Sequence, residues 1–372
     1  MRFGLLGPAS PFRGGIAQFL HHLADHLGLL NQVEIFTFRH QYPSLFFPGA
    51  NQTGESNECP FPLYRVLTPY NPISWKQTAQ YIYQRKINHL IIQFWIPYFC
   101  PAYITICKFL KKHCRIKITL ICHNLIFHEK WLFSNLLVYL MLKHVDQIVV
   151  LSDHVYREFL TNYKTMVPKL VKMFHPYYEV ECIHDKYKAC QKIGIKPAPT
   201  ILFFGFIKKY KGLDVLLKAF ELVCQENPQI QLLIAGEVYG SIRKYQRLIA
   251  RSSYQNQIYF HHEYISLESI PLYFQSCDVV VVPYKTASQS GVIQLAYSFQ
   301  KPVIASNIDG LNEAVIEEKT GFLFQNKDHF DLAKRIRQFF YSYQKHNYPD
   351  QISNFNKDYT WKIFVSSNIW KE

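Results

Sequence analysis

The chain has no run of eighteen uninterrupted apolar residues, although 49% of its 372 residues are hydrophobic. Its most apolar stretch, residues 131–142, is interrupted by Ser134 and Asn135. Such a stretch predicts a helix inside a globular domain rather than a membrane span. Residues 1–6 lead directly into a strand-like segment, without the long apolar region of a secretory signal. We therefore expect a cytoplasmic protein.

The cysteines form no metal-binding or disulfide pattern. There are nine, an odd number, and no two are spaced as Cys-x-x-Cys, which argues against a disulfide framework and a zinc knuckle. His22 and His26 are four residues apart, as in a metal-binding pair, but no Glu stands between them as it does in zinc proteases. We expect no metal site.

Charged residues are few, at 18%, yet the net charge is +14. Residues 1–175 contain 18 Lys and Arg against 8 Asp and Glu, a net +10, whereas the remainder contains 23 against 19, a net +4. A basic half suits nucleic acid, anionic lipid or a phosphorylated acceptor. Because no ribonucleoprotein motif, zinc finger or helix-turn-helix pattern is present, we do not expect nucleic acid to be the partner.

Short apolar runs alternate with amphipathic segments of ten or more residues, a pattern typical of βαβ units. The pattern occurs twice and predicts an α/β fold with two Rossmann-like domains, each built on a parallel sheet. We place the first domain at residues 1–175, a linker at 176–198 and the second domain at 199–355. The aromatic segment 356–372 is expected to pack back on the first domain as a helix.

Ten apolar runs are the predicted strands of these sheets. They are residues 3–6, 33–38, 90–94, 117–122, 147–151, 200–205, 231–235, 257–261, 278–283 and 302–306. Ligands bind at the carboxyl ends of strands in open parallel sheets. The segments that follow these strands are therefore the candidates for a functional site.

Gly14 and Gly15 follow the first strand and precede a predicted helix. Paired glycines at a helix N-terminus let backbone N–H groups approach a phosphate, although an ordinary strand-to-helix turn explains the same residues. The loop matches neither a Walker motif nor Gly-x-Gly-x-x-Gly. The fold alone would also suit a nicotinamide-dependent oxidoreductase. The missing Gly-x-Gly-x-x-Gly motif argues against that class of enzyme.

Two further segments follow strands of the second half. The loop that begins at Gly205 contains Lys208 and Lys211, which are suited to neutralise a diphosphate leaving group without a metal ion. A solvated basic loop is the alternative interpretation. Ser290 and Gly291 lie where a later strand meets its helix, and they suit anion binding as well.

Another glycine turn, with Gly310 and Leu311, follows the last predicted strand and precedes Glu313. We expect Glu313 to lie near the start of a helix. A carboxylate there either stabilises the helix dipole, by about 0.3–1 kcal/mol, or binds a sugar hydroxyl.

These segments occur in a fixed order: Gly14 and Gly15, then His123, then the stretches 208–212, 310–313 and 320–323. The ordered set resembles the retaining glycosyltransferases of family 4, and the resemblance spans essentially the whole chain. It implies a GT-B fold, in which two Rossmann-like domains face each other across a cleft. It also implies transfer of a sugar from a nucleotide-diphospho-sugar to an acceptor with retention, without a metal or another cofactor.

The resemblance also assigns site residues. Lys208 and Lys211 would hold the donor diphosphate, and His123 and Glu313 would contact the transferred sugar; these four are the catalytic candidates. In this family the leaving phosphate is thought to help take the acceptor proton. The donor-binding candidates share the turns after the strands, and they are Gly14, Gly15, Gly205, Ser290, Gly291, Gln294, Gly310 and Leu311.

The sequence departs from the family pattern in two places. Phe206 stands where the family often has Arg, and Lys208 looks like its replacement. The usual pair of Glu residues is missing, because residues 287–296 contain no acid. We expect Gln294 to accept hydrogen bonds from the ribose in their place. The missing acids leave open a catalytically inactive binding or scaffold protein of the same fold.

A basic cluster at residues 108–115 ends a predicted apolar helix. It suits peripheral docking on an anionic membrane, although a solvated helix end with cations near the dipole is an equally ordinary explanation. Docking would fit an acceptor that is lipid-linked or a cell-surface glycan precursor.

Overall fold

The computed structural model describes residues 1–43, 52–54, 59–124, 134–180, 185–343 and 346–370. The chain divides into two compact units. Unit 1 comprises Met1–His175 and Trp361–Glu372, and unit 2 comprises Pro176–Thr360. Among the described residues, no helix combines the length and the apolar composition that crossing a membrane requires.

Unit 1 is built on a parallel sheet of seven strands. They are β1 (Arg2–Leu6), β2 (Gln32–Phe38), β3 (Leu63–Leu67), β4 (His89–Phe94), β5 (Lys117–Cys122), β6 (Gln147–Val150) and β7 (Leu170–Lys172). Its α-helices are α1 (Gly15–Gly28), α2 (Pro72–Gln84), α3 (Cys100–His113), α4 (Ser134–Leu142), α5 (Asp153–Asn162) and, from the end of the chain, α13 (Trp361–Ser366).

The strand order of unit 1 is β3-β2-β1-β4-β5-β6-β7. The order reverses between β1 and β4, so their carboxyl ends border the crevice where open sheets bind ligands. β4 is buried along its whole length, as expected for a strand covered by helices on both faces. Buried residues of α1, among them Phe19, Leu23 and Leu27, recur at helical spacing and cover one face of the sheet.

Unit 2 repeats this plan with six parallel strands. They are β8 (Thr200–Phe204), β9 (Gln231–Ala235), β10 (Ile258–His261), β11 (Val279–Val282), β12 (Val303–Ser306) and β13 (Gly321–Phe324). Its α-helices are α6 (Lys186–Ile193), α7 (Leu213–Glu226), α8 (Ile242–Ala250), α9 (Ile270–Ser276), α10 (Gly291–Ser298), α11 (His329–Ser342) and α12 (Tyr348–Asn356). The order β10-β9-β8-β11-β12-β13 reverses between β8 and β11.

The predicted α/β class with two Rossmann-like parallel sheets is confirmed. All ten predicted strands are present, each within one residue at either end. The sequence did not predict β3, β7 and β13. β7 has only three residues, too few for an apolar pattern, and β3 alternates irregularly around the exposed Arg65. Of the apolar stretch 131–142, the first three residues lie outside the described residues.

The predicted linker at 176–198 is wrong for its described part, because these residues pack as part of unit 2. The backbone N–H of Tyr178 donates to the Ser298 hydroxyl at 2.8 Å. Lys186 forms an ion pair with Asp278 at 2.6 Å, and Cys190 on α6 is fully buried. These contacts make the described part of this segment a component of unit 2. Residues 181–184 lie outside the described residues.

The carboxyl-terminal boundary also differs from the predicted 356–372. Asn356 donates from its side chain to the carbonyl of Tyr297 at 3.0 Å, which keeps the end of α12 on unit 2. The chain joins unit 1 only from Trp361 onward, where α13 packs against α1. Residues 371 and 372 lie outside the described residues.

Candidate functional site

The predicted phosphate loop follows β8 and is closed by two glycines with positive φ. Gly205, at φ 96°, begins the loop, and Gly212, at φ 71°, starts α7. A Cβ on Gly212 would lie 1.8 Å from the carbonyl oxygen of Pro283, so no larger residue fits. Because of this close approach, the loop lies directly against the end of β11.

Lys211 lies inside this loop with its ammonium 4.9 Å from the centre of the Tyr284 ring. Its Nζ is 3.3 Å from the position that a Cβ on Gly205 would take. Burial lowers the pKa of Lys211 below its ordinary value, partly opposed by Tyr210. Among the described residues, no carboxylate lies within ion-pair distance of this lysine. A half-buried cation with an aromatic face beside it suits an anionic ligand.

The N-terminus of α10 lies beside the same loop. Val292, in its first turn, has Cγ2 3.6 Å from the Cβ position of Gly205. Ser290 precedes the helix without capping it through its side chain. A Cβ on Gly291 would meet nothing nearer than the Tyr178 hydroxyl at 3.9 Å. The structure therefore brings the predicted Lys211, Gly205, Ser290 and Gly291 together, with the positive end of a helix dipole among them.

Two glutamines near this helix start have buried amide oxygens that accept no hydrogen bond: Gln289 and Gln294. Buried acceptors are nearly always satisfied, so an orphan acceptor here indicates a missing hydroxyl or amine donor. Gln294 was predicted as a site residue. Gln289 was missed, although it belongs to the same acid-free stretch.

The turn after β12 also reaches this edge. A Cβ on Gly310, at φ 84°, would lie 2.4 Å from the carbonyl oxygen of Ser288, so the two loops touch through their backbones. Leu311 is fully buried. Glu313 is exposed. It lies in a 3-10 helix of three residues, Asn312–Ala314, so the expected α-helix at this position is wrong.

Lys208 lies at the β9 side of the phosphate loop, where sequence reasoning missed an aromatic cluster. The Nζ of Lys208 is 4.8 Å from the centre of the Tyr239 ring. Phe206 contacts Tyr239 at 4.9 Å and stacks near Tyr264 at 6.4 Å between ring centres. Each aromatic follows a different strand, so no local spacing could have grouped them. The unusual Phe206 was the one available signal.

An ion pair ties the phosphate loop to its neighbour. Lys285, after β11, contacts Asp214 at the start of α7 at 2.7 Å. The backbone N–H of Lys285 also donates to the carbonyl of Tyr210 at 2.7 Å. Together these contacts fix the spacing between the loop that carries Lys211 and the loop that leads into α10.

In unit 1, the glycine pair begins α1 at the carboxyl end of β1. Gly14, at φ 113°, is the N-cap residue of α1. A Cβ on Gly15 would meet nothing within 4 Å. The helix start is therefore open, as an approaching phosphate requires.

His123 follows β5 on the same edge and is buried. Its Nε2 lies 2.5 Å from Oε1 of Gln93 on β4, and its ring meets Phe19 edge-on at 5.0 Å. Burial lowers the pKa of His123 to about 3, with a further contribution from His175. The imidazole is therefore neutral at pH 7 and binds through hydrogen bonds rather than charge. Gln93 was not predicted, because it contacts His123 from a neighbouring strand.

Other histidines surround the same aromatic centre. Phe19 also contacts His175 at 5.3 Å, while His22 and His26 stack on Trp361 at 5.8 and 5.6 Å. Within the described part of the chain, no three His, Cys, Asp or Glu side chains are grouped in a way that would hold a metal ion.

Comparison with known proteins shows which family model part of this chain matches. Residues 198–341, all within unit 2, match the family model described as "Glycosyl transferases group 1". The match covers the loops that contain Lys211, Gly291 and Gly310.

Curated relatives resemble part of the chain. It is 30% identical over 149 residues to a D-inositol 3-phosphate glycosyltransferase of Pseudarthrobacter chlorophenolicus, covering 39% of this chain and 36% of the relative. It is 29% identical over 163 residues to a GDP-mannose:glycolipid 4-beta-D-mannosyltransferase of Xanthomonas campestris, covering 42% of this chain and 45% of the relative. The chain thus spans less than half the length of these relatives.

Solved structures resemble nearly all of the chain. A glycosyltransferase from Rickettsia africae aligns with a TM-score of 0.75 at 18% identity, over 99% of this chain and 97% of that one. Anabaena HepE in complex with UDP-glucose aligns with a TM-score of 0.76 at 15% identity, over 99% and 98%. At these identities the likeness shows the fold, which is the GT-B class with two Rossmann-like domains.

Proposed function

We propose that this protein is a glycosyltransferase that moves a sugar from a nucleotide-diphospho-sugar to an acceptor with retention of anomeric configuration. The observation that carries the proposal is the surroundings of Lys211. A half-buried lysine has its ammonium beside the start of α10, and no described carboxylate neutralises it. A donor diphosphate supplies the charge that this arrangement lacks.

Lys208 and Lys211 would bind the diphosphate together with the N–H group at Gly291. Gly15, in unit 1, is the further donor-binding residue that the resemblance implies. As the bond to the sugar breaks, negative charge grows on the leaving phosphate. Fixed cations and a helix N-terminus stabilise that charge more in the transition state than in the ground state. The two lysines would provide this stabilisation without a metal ion.

Gln289 and Gln294 would accept hydrogen bonds from the ribose hydroxyls, because their buried amide oxygens have no other donor. They would replace the acidic pair of the resembled family. Hydrogen bonds to a neutral amide are weaker than those to a carboxylate. We therefore expect more of the donor affinity to come from the diphosphate than from the ribose.

His123 and Glu313 would contact the transferred sugar. A neutral His123 would bind a sugar hydroxyl without placing positive charge beside the cationic transition state. The leaving phosphate would take the proton of the acceptor hydroxyl on the same face of the sugar, which accounts for retention. No separate carboxylate base is then required.

The acceptor is proposed to be lipid-linked or a cell-surface glycan precursor. One relative is named for a glycolipid and another for an inositol phosphate. Both acceptors contain an anionic or membrane-bound group, which suits the net +10 of residues 1–175. The UDP-glucose in a structural neighbour makes a UDP-sugar the first donor to test.

Peripheral contact with an anionic membrane is part of the proposal. Lys112 and Arg115, at the end of α3, are exposed, and Leu136 and Leu140 are exposed one turn apart on α4. Lys111 contributes less, because it pairs with Asp146. Binding to vesicles with phosphatidylserine, and not to neutral vesicles, is expected. Reversing Lys112 and Arg115 to Glu should abolish it, and unchanged binding would refute this part.

The first test is thermal unfolding with UDP, GDP, ADP, dTDP, CMP and NAD on the wild type and Lys211→Ala. A ligand at one hundred times its dissociation constant stabilises a protein by about 2.7 kcal/mol. One nucleoside diphosphate should shift the wild type and fail to shift the variant. Lys218→Ala, an exposed lysine of α7, is the matched control and should respond like the wild type.

Turnover separates an enzyme from the inactive scaffold. With the donor named, the product's anomeric configuration is read by NMR, and the rate is compared with and without a metal chelator. Retention and an unchanged rate are expected. Tight nucleotide binding without any transfer to water or acceptor would favour the scaffold, whereas no binding at all would refute the assigned phosphate loop.

A further inference from the structure

The loop between β1 and α1 is tied down by its own backbone N–H groups. Gly7 donates to the carbonyl of Phe36 at 3.1 Å, and Ala9 donates to the hydroxyl of Thr37 at 3.1 Å. The third donor, Ser10, reaches in the other direction. Its N–H donates to Nε2 of His21, in the second turn of α1, at 3.0 Å.

These three acceptors differ in one chemical respect. A carbonyl and a hydroxyl accept hydrogen bonds at every physiological pH. A ring nitrogen accepts only while it holds a free lone pair, because both nitrogens of a protonated imidazole are donors. The Ser10 contact therefore requires a neutral His21 with its proton on Nδ1, and protonation would set two donors against each other.

We propose that His21 is a positioning residue, which holds the loop before Gly14 and Gly15 through the Ser10 N–H while neutral and releases it when protonated. His21 would touch neither donor nor acceptor. The consequence for donor binding rests on the proposed function, in which Gly14 and Gly15 at the start of α1 take part in donor binding.

The groups around His21 determine the pH at which its ring is protonated. Burial lowers its pKa below the ordinary histidine value, and Asp25, one turn further along α1, opposes that shift. His22 is the neighbouring residue on the helix, and Cys59, from the segment before β3, lies near Asp25. The packed loop, residues 8–12, contains no ionisable side chain. His21 is therefore neutral at pH 7, and because its pKa is lowered, the contact is lost only at a pH below the ordinary histidine value.

The test is hydrogen exchange of the peptide covering residues 7–13, compared at about pH 7.5 and about pH 4.5, where the lower value lies well below the ordinary histidine pKa because burial lowers that of His21. Exchange is expressed as protection, which removes the intrinsic effect of pH. In the full-length wild type, protection should fall about two- to tenfold at the lower pH, the value of one hydrogen bond.

Two substitutions distinguish positioning from simple packing. In His21→Gln, the side-chain amide reaches the place of Nε2 and accepts at any pH, so protection should be high and independent of pH. In His21→Leu, which has no acceptor for the Ser10 N–H, protection should be low at both pH values. His113→Gln, on the exposed end of α3, should behave like the wild type. A wild-type pH dependence in His21→Gln would overturn the proposal.

The dissociation constant of UDP, measured on the same proteins, tests the link to the donor separately. Weaker binding at the lower pH in the wild type, and pH-independent binding in His21→Gln, is expected. If exchange follows the prediction but UDP binding does not change, His21 positions the loop and the assignment of Gly14 and Gly15 to the donor fails. If none of the nucleoside diphosphates binds the protein, the proposed function fails, and the exchange result still decides the role of His21.

Discussion

The two units share a strand order, yet they build their carboxyl edges by different means. In unit 2, backbone meets backbone: Gly212 lies against Pro283 and Gly310 against Ser288, in both cases without room for a Cβ. In unit 1, side chains fill the edge, with His123 and Phe19 at its centre. Topology therefore locates an edge, whereas the residues on it decide its chemistry.

The difference predicts different vulnerabilities. At Gly212 and Gly310 the edge of unit 2 has no space for an added methyl group, and the same edge carries lysines that suit an anion. The edge of unit 1 excludes charge, because its histidines are kept neutral by burial. Four substitutions or conditions test this contrast, each expected to affect one unit more than the other.

The largest effect is expected for Trp361→Ala. Trp361 is fully buried in unit 1, where it contacts Phe19 at 4.9 Å. Removing so large a buried side chain costs about 3–5 kcal/mol. Urea unfolding followed by hydrogen exchange should show the loss in unit 1 and little change in unit 2. Ile363→Ala, a partly exposed position on the same helix, should cost far less; an equal cost would contradict the packing described.

Gly212→Ala should destabilise unit 2 by about 3 kcal/mol, from strain at positive φ and from overpacking against Pro283. Gly240 is the matched control, because it also has positive φ, at 111°, but has open space around it. Gly240→Ala should cost about 1–2 kcal/mol, the strain alone. Similar losses in the two variants, measured by urea unfolding, would show that the close approach does not matter.

Acid should weaken unit 1 before unit 2. Burial lowers the pKa of His22 to about 4, and those of His89 and His123 to about 3. The unfolded chain binds protons below about pH 6.5 and the folded one does not, so stability is full above that pH and falls toward pH 4. Each such histidine contributes a slope of about 1.4 kcal/mol per pH unit. Glu158, whose pKa burial raises to about 7, acts in the opposite sense.

The measurement is the urea midpoint of each unit, from hydrogen exchange, at several pH values between about 7 and 5. His22→Phe should reduce the slope for unit 1 and leave unit 2 unchanged. A slope that is the same in both variant and wild type would show that His22 titrates normally in the folded protein.

The smallest effect is expected for Asp214→Asn. Its ion pair with Lys285 is partly exposed, and such pairs contribute about 0–1 kcal/mol. Stability should barely change, whereas UDP affinity should fall about two- to fivefold, because the loop carrying Lys211 loses one fixed point. Asp185→Asn, which removes an exposed pair with Lys188 far along the sequence, should leave UDP affinity unchanged.

The features predicted correctly are those that depend on a local sequence pattern. Buried strands such as β4 and β9 are continuous apolar runs, and only glycine suits the turns at Gly205 and Gly212, so both were identified. Side-chain contacts between residues from different strands were not predicted. Tyr284 lies under Lys211, and Gln93 beside His123, because the sheet order brings distant segments together.

Two errors have the same origin. The short turn at Glu313 was expected to begin an α-helix, since a Gly-rich turn with a following acid is typical of one. The segment 176–198 was interpreted as a linker because it is polar, although single anchors such as Tyr178 and Cys190 fix its described part to unit 2. The polarity of a segment indicates its average exposure. It does not reveal a single buried side chain within that segment.

The return of the chain to unit 1 at Trp361 has a consequence for biosynthesis. On the ribosome, residues 1–175 emerge first, but the core around Phe19 lacks Trp361 and Phe364 until the whole of unit 2 has been made. The first unit to be synthesised is therefore the last to be completed. A chain that ends before residue 361 leaves the apolar face of α1 around Phe19 uncovered.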